Sequence, residues 1–295
     1  MTQRSISPRQ MARAIGASES SLKRWIDSGE IPALRTIGGH RRIPLDEALR
    51  FVRDRRLTLV NPGLLTSPAP ADATRAAAAR SSFDQRLPPR AARTLHGPLI
   101  AGDAKAVEEL LMSWFASGVG IGEMADRAIA PAMARIGMLW QHGPEGIATE
   151  HRATAALVRA VAVIQSILPE TKGPLALGGA PSGDPYILPS MLVSTALLGA
   201  GWRVANLGPD LPAEALASAI ASQRPRIVWL SMTAPVSQRT AQTVTSSAAG
   251  QCAAVGAELI VGGRAAPRAD RQTSWHAARS IGNLLSIARR WGAPL

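Results

Sequence analysis

Along the first sixty residues, apolar positions recur every three to four residues in three short runs. Met11, Ala14 and Ile15 form one stripe, Leu22, Trp25 and Ile26 a second, and Asp46 to Arg56 carries a third. Ser7-Pro8 predicts a helix start, because serine caps an N-terminus and proline suits the first helical position. Gly16 stops that helix. Ser18 caps the next, Glu19 to Ser28, with Lys23 and Arg24 facing outward. Ile31 to Ile43 reads as a hairpin closed by Gly38-Gly39, with basic residues on the return strand. Two short helices across a tight glycine turn fit a helix-turn-helix.

The pattern then lapses. Asn61 to about Ala92 holds Pro62, Pro68, Pro70, Pro88 and Pro89 among Ala and Ser, which predicts an extended, mobile tether. Helical periodicity returns in a short segment near Ala92–Ala101 and in three longer ones, Asp103–Ser117, Ile121–Trp140 and Ile147–Ile167, a bundle. From His151 the positions Ala155, Val158 and Ala162 recur at helical spacing, which places His151 on the packed face. Strands then alternate with helices. Leu175–Gly179, Arg203–Leu207, Ile227–Ser231 and Glu258–Gly262 read as strands. Ile187–Ala200, Ala213–Ser222, Gln238–Gly250 and a closing Ser274–Trp291 read as helices. Such alternation predicts a doubly wound parallel sheet, whose ligands bind beyond the carboxyl ends of the strands. Those ends carry the loops 180–186, 208–211, 232–236 and 263–266. The expected architecture is therefore multidomain: a helix-turn-helix at 1–57, a linker at 58–92, a helical bundle at 93–169 and an α/β domain at 170–295.

Charge sharpens the reading of the first module. The whole chain carries +12, and within residues 1–57 twelve Arg and Lys face six Asp and Glu, a surplus of six. Such a balance favours a polyanionic partner without saying which; together with the helix order and the hairpin it makes double-stranded DNA the expected one. Ser20, Ser21, Lys23 and Arg24 are placed to meet base edges, and Arg35, His40, Arg41 and Arg42 lie on the hairpin. Cys252 is the single cysteine, which excludes an internal disulfide framework and a thiolate zinc cluster. No run reaches the ~18 apolar residues of a membrane span, so a cytosolic protein is expected.

The bundle holds the other candidate chemistry. Trp140 ends one helix, Gln141-His142-Gly143-Pro144 breaks it, and His151 opens the next. A large aromatic and an imidazole over one cavity suit a flat, apolar ligand with a metal at its centre. On spacing alone, a core tryptophan packing a helix corner, with His151 hydrogen-bonded in the bundle, is the better reading.

Ala130-Pro131, Ile136-Gly137, Trp140, Gly143, Ile147 and Glu150-His151 resemble the helical half of cobalamin-binding modules. Trp, nine residues, then Glu-His is similar to the signature of the CarH/CarA/LitR light-responsive repressors. Thr36-x-Gly38-Gly39-His40-Arg41-Arg42 resembles the wing of MerR-type and excisionase-type regulators. In the α/β domain Ser231-Met232-Thr233, Gly262-Gly263 and Leu207-Gly208-Pro209-Asp210 resemble turns that flank the cobalamin nucleotide tail. The resemblance implies a repressor that binds DNA as a dimer or tetramer. It also implies an adenosylcobalamin-like cofactor beneath Trp140, with His151 as a cobalt ligand after photolysis.

One loop departs from that pattern. Where the family carries Asp/Glu-x-His-x-x-Gly, with the histidine as lower cobalt ligand, this chain reads Asp184-Pro185-Tyr186-Ile187-Leu188-Pro189. A phenol with a pKa near 10 is a poor cobalt ligand, although tyrosinate can bind ferric haem. Three readings stand: a regulator sensing cobalamin in an altered mode, haem or biliverdin; a regulator that has lost its ligand; and a corrinoid carrier module of an enzyme.

Overall fold

A computed structural model describes residues 5–35, 39–55, 57–61, 63–66, 87–139, 143–169, 171–269 and 273–292. The chain divides into two compact units, Met1–Val119 with Pro131–Pro169, and Gly120–Ala130 with Glu170–Leu295.

The first unit begins with β1 (Ser5–Ile6), α1 (Pro8–Ile15), α2 (Glu19–Asp27), β2 (Leu34–Arg35), β3 (Arg41–Pro44) and α3 (Leu45–Asp54). Ser7 Oγ accepts from Gln10 N, and the Gln10 side chain returns to Ser7 N, a capping box that fixes where α1 starts. Gly16 ends α1 at φ 67°, the left-handed region that glycine enters at little cost. The hairpin forms antiparallel with Leu34 opposite Arg42 and Arg35 opposite Arg41; Gly38 of its turn lies outside the described residues. Met11, Leu22, Ile31, Ile43, Leu45 and Leu49 are fully buried, and Trp25 packs on Phe51 with ring centroids 5.2 Å apart.

The start of the expected tether is docked. Val60 N and Asn61 N both donate to Ala14 O, at 2.7 and 3.0 Å, and Leu65 in α4 (Gly63–Thr66) is buried. Residues 67–86, the bulk of that segment, lie outside the described residues.

In the same unit α5 (Ala91–Ala101), α6 (Ala104–Ala116), most of α8 (Ala130–Gly137) and α9 (Pro144–Ile167) bury Leu95, Leu99, Val107, Leu111, Leu157, Val161 and Ile164. Arg53 of α3 sits over the Phe115 ring of α6 at 4.7 Å, with burial lowering its pKa. The continuous helix expected over 121–140 is broken into α7 (Ile121–Met124), a π-helical turn at Ala125–Ile129, and α8. Proline at 131 has no N–H for the Arg127 carbonyl, and Ala130 N bonds Ala125 O, one residue further back than in an α-helix. Helix α9 begins at Pro144, three residues earlier than expected, because proline is well suited to its first turn.

The expected face of α9 needs correction. His151 is exposed, as are Ala155 and Ala162. The packed face is Ala153, Ala156, Leu157, Ala160, Val161, Ile164 and Ile167. Burial follows the large aliphatic side chains, which gain about 1.5–3 kcal/mol each, and the alanine stripe offers much less.

The second unit is a five-stranded parallel sheet in the order β5-β4-β6-β7-β8, built from β4 (Leu175–Gly179), β5 (Arg203–Asn206), β6 (Ile227–Ser231), β7 (Glu258–Gly262) and β8 (His276–Ala278). Helices α10 (Ile187–Gly199) and α13 (Ile281–Ala288) cover one face over Val193, Leu197, Trp202, Trp229, Ile260 and Leu284. Helices α11 (Ala213–Gln223) and α12 (Gln238–Val255) cover the other over Leu216, Ile220, Val228, Leu230, Leu259 and Val261. The fifth strand was not expected. His276 lies in this edge strand, not in the closing helix, which starts only after Ser280 caps it through Asn283 N. Asp126, from the π-helical turn, accepts from Ile281 N and Gly282 N at 2.9 and 2.8 Å. Its carboxylate thereby satisfies two free donors at the α13 N-terminus.

Candidate functional site

The recognition surface of the first unit is built on α2. Ser18 caps it, accepting from Ser21 N at 3.1 Å, and its Oγ also lies 2.8 Å from Ser20 Oγ and 2.9 Å from Ser21 Oγ. Ser20, Lys23 and Arg24 are exposed and Ser21 half-buried. On the hairpin Arg35, His40 and Arg42 are exposed, whereas Arg41 is half-buried and forms an ion pair with Asp27 at 2.6 Å. Arg35 and Arg41 share one register pair of the hairpin, and Arg42 pairs with Leu34 on the other face. Among the described residues no carboxylate pairs with Lys23, Arg24, Arg35 or Arg42. Helix α2 and the hairpin thus each present cations that no described carboxylate neutralises. Asp27 was the missed residue. Its place at the end of the recognition helix, fourteen positions before Arg41, carries no local signal.

In the bundle, Trp140 and His142 lie outside the described residues. Glu150 is half-buried, with Oε2 3.9 Å from His151 Nε2; the Glu150 side chain is 15 % exposed and that of His151 71 %. His151 is open to a ligand from solvent. Among the described residues no group of three or more His, Cys, Asp or Glu side chains is placed to hold a metal ion. His96 has its pKa lowered by burial first and by the Arg135 charge second.

At the carboxyl edge of the sheet the loops are stitched together by backbone. Gly263 adopts φ +108°, and a Cβ there would meet Met232 O at 2.1 Å. Met232 N donates to Gly262 O and Ala265 N to Met232 O, at 2.8 and 3.0 Å. Gly263 therefore serves close backbone approach between the β6 and β7 loops, and its requirement stands without any ligand. Ser231 is buried and Thr233 half-buried.

Asp184 is 3 % exposed, and its carboxylate is turned inward. Oδ1 accepts from Tyr186 N at 3.1 Å, and Oδ2 accepts from Thr233 N and from Ala234 N, the latter at 2.9 Å. Strands β4 and β6 are neighbours from which the strand order runs in opposite directions, the switch point where ligands of such sheets bind. Asp184 ties their two loops across that crevice. Beneath it the Trp229 indole covers Gly178, where a Cβ would lie 2.4 Å from the ring, and Trp229 Nε1 donates to Ser190 Oγ at 3.1 Å. Tyr186 is half-buried, with the Arg264 guanidinium 5.6 Å above its ring. No imidazole is present in this loop, so the residues do not fit a cobalt ligated from below by protein. Arg264 was missed by sequence reasoning, although an arginine directly after Gly262-Gly263 stands in the loop named for the site. Cys252 is buried and its thiol is pushed up to about 12 by burial first and by Glu258 second, so it is neither nucleophile nor ligand.

Residues 6–56 match the helix-turn-helix domain family, and residues 92–165 match the B12 binding domain family. Ahead of the doubly wound sheet the chain thus carries a helix-turn-helix domain and a B12 binding domain. The chain is 27 % identical over 263 residues to the HTH-type transcriptional repressor CarA of Myxococcus xanthus, an alignment that covers 86 % of this chain and 85 % of CarA. Its fold is also similar to the monomethylamine corrinoid protein of Methanosarcina barkeri, at 16 % identity and a TM-score of 0.53, over 67 % of this chain and 96 % of that one. No described helix is long and apolar enough to cross a membrane.

Proposed function

We propose that this chain is a DNA-binding transcriptional repressor whose bundle and α/β domain sense a tetrapyrrole: cobalamin in an altered mode, haem or biliverdin. The observation that carries the reading is the pairing of an uncompensated cationic surface around α2 with a B12-binding bundle in one chain. Ser20, Ser21, Lys23 and Arg24 read base edges in the major groove, and Arg35, His40 and Arg42 hold the flanking phosphates. Trp140, Glu150 and His151 meet the macrocycle from the bundle, with His151 the one candidate metal ligand. Ser231, Thr233, Gly262 and Gly263 shape the ligand-facing loops of the α/β domain, and Asp184 and Tyr186 support them. When bound, a tetrapyrrole supplies light absorption and, with a metal, an axial position for an imidazole.

Repression works through assembly: ligand and light set whether the chain is a monomer or a dimer or tetramer on repeated operator half-sites. Linking DNA-binding modules raises apparent affinity by about 10² to 10⁴ without new contacts. The test adds cobalamin, haem and biliverdin to purified protein and records visible spectra, light-scattering mass and operator binding, dark and lit. A ligand-induced spectrum with a change in mass and DNA affinity is expected. Tight operator binding with no spectral response to any of the three leaves a ligand-independent regulator instead. That second reading draws on Tyr186 and on the crevice closed by Asp184.

A further inference from the structure

Three adjacent strand ends meet at one residue. Thr233, after β6, donates its N–H to Asp184 from the β4 loop, and its carbonyl accepts from Arg264 Nε of the β7 loop at 2.7 Å. The Arg264 guanidinium is seated over the Tyr186 ring at 5.6 Å. Two contacts on different sides therefore fix an arginine that is otherwise exposed. An exposed arginine is ordinarily a solvated, rotating charge, and holding it costs side-chain entropy. Here that entropy is already spent.

The bond to Thr233 uses Nε alone. Both terminal nitrogens make no hydrogen bond among the described residues, and no carboxylate pairs with the group. The acid that shares Thr233 with it, Asp184, is buried and its oxygens are taken by three backbone N–H groups. What remains is a planar, preorganised fork of donors at the edge of the crevice. A fork of this kind matches the two oxygens of a carboxylate or phosphate.

We propose that Arg264, seated on Tyr186 and Thr233, anchors an oxyanion substituent of the ligand, so that the site prefers a tetrapyrrole carrying a free carboxylate or phosphate. The inference rests on the tetrapyrrole reading above. Asp184 ties the two loops across the switch point, and Arg264 stands beside that tie at the rim where the ligand is held. A neutral macrocycle of the same shape loses this contact.

Paired probes on the full chain test it: haem against its dimethyl ester, biliverdin against its dimethyl ester, and cobalamin against cobinamide, which lacks the phosphate. Affinities are read from tryptophan quenching and visible spectra for wild type, Arg264→Gln and Arg264→Lys. The wild type should favour the anionic member of at least one pair by about tenfold or more, the usual strength of a hydrogen bond to a charged group. Arg264→Gln should erase that preference by weakening only the anionic member, and Arg264→Lys should keep part of it. The ester pairs report a carboxylate and the corrinoid pair a phosphate. Binding of a macrocycle with equal affinity for both members of every pair, or an unchanged ratio in Arg264→Gln, overturns the oxyanion anchor and leaves the tetrapyrrole reading intact. No binding of any of the six probes to wild type overturns both.

Discussion

Arg41 Nη2 lies 2.6 Å from Asp27 Oδ1, so the hairpin of the DNA-binding module is tied to the end of its recognition helix. Two neighbouring arginines thereby acquire different tasks. Arg42 is exposed to solvent, where the proposed function has it meet a phosphate, and Arg41 joins the hairpin to α2. The pair is partly exposed, with side chains 28 % and 46 % accessible, so its worth to folding is only about 0.2–1 kcal/mol. Its consequence is for binding geometry.

Salt titrations separate the two roles. Arg42→Ala should lower the log–log salt slope of operator binding by about 0.9, the value for one lost phosphate contact. Arg41→Ala should weaken operator binding with little change in slope, Asp27→Ala should reproduce that loss, and the double variant should lose no more than either single one. Additive losses at Asp27 and Arg41 would show that the pair does not act as a unit.

Asp184→Ala removes the acceptor of three backbone N–H groups at once. The buried Ala234 N–H alone costs about 1–3 kcal/mol when left unpaired. Denaturant unfolding followed in the α/β domain should therefore show a loss of at least that size. A loss under about 0.5 kcal/mol, the range of ordinary surface substitutions, would mean that the carboxylate does not hold the two loops together.

The Cys252 thiol, pushed up to about 12, carries almost no thiolate near neutral pH. Because its folded pKa lies above the unfolded value, the protonated form favours folding, and that contribution fades only as the pH rises through the unfolded and then the folded value. At pH 8 Cys252 should resist a thiol reagent in native protein and react within minutes once guanidinium unfolds it. Rapid labelling of the native protein would contradict the burial.

Most of this architecture is legible in the sequence, because the elements that matter are long or carry strong punctuation. Ser7-Pro8, Gly16 and Ser18 set the ends of α1 and the start of α2 through caps that act locally. Strands β4, β6 and β7 are read from apolar runs, whereas β5, Arg-Val-Ala-Asn, is read from its place between two helical patterns. The misses are residues whose structure is decided at a distance. His276-Ala277-Ala278 has no apolar alternation and becomes a strand only because β7 offers it an edge. The π-helical turn at Ala125–Ile129 follows from Pro131, whose effect is felt upstream of itself. At the site, the loops were legible from strand ends and Asp184 from the resemblance to cobalamin-binding loops, whereas the fixing of Arg264 by Tyr186 and Thr233 joins residues from three separate loops. No periodicity reports that.

The face of α9 offers a test that needs no ligand. Leu157 is fully buried in the bundle and His151 is exposed, although both stand on one helix. Leu157→Ala should cost about 2–5 kcal/mol, the range for removing an aliphatic side chain from a packed core. His151→Ala should change stability by no more than about 0.5 kcal/mol, since no packing is lost and alanine favours helix. A fold that survives His151→Ala intact makes that variant a clean probe. Any change it causes in the spectrum of added cobalamin or haem then reports contact with the ligand and not damage to the bundle. A loss of several kcal/mol for His151→Ala would return the histidine to the core and remove it as a candidate ligand.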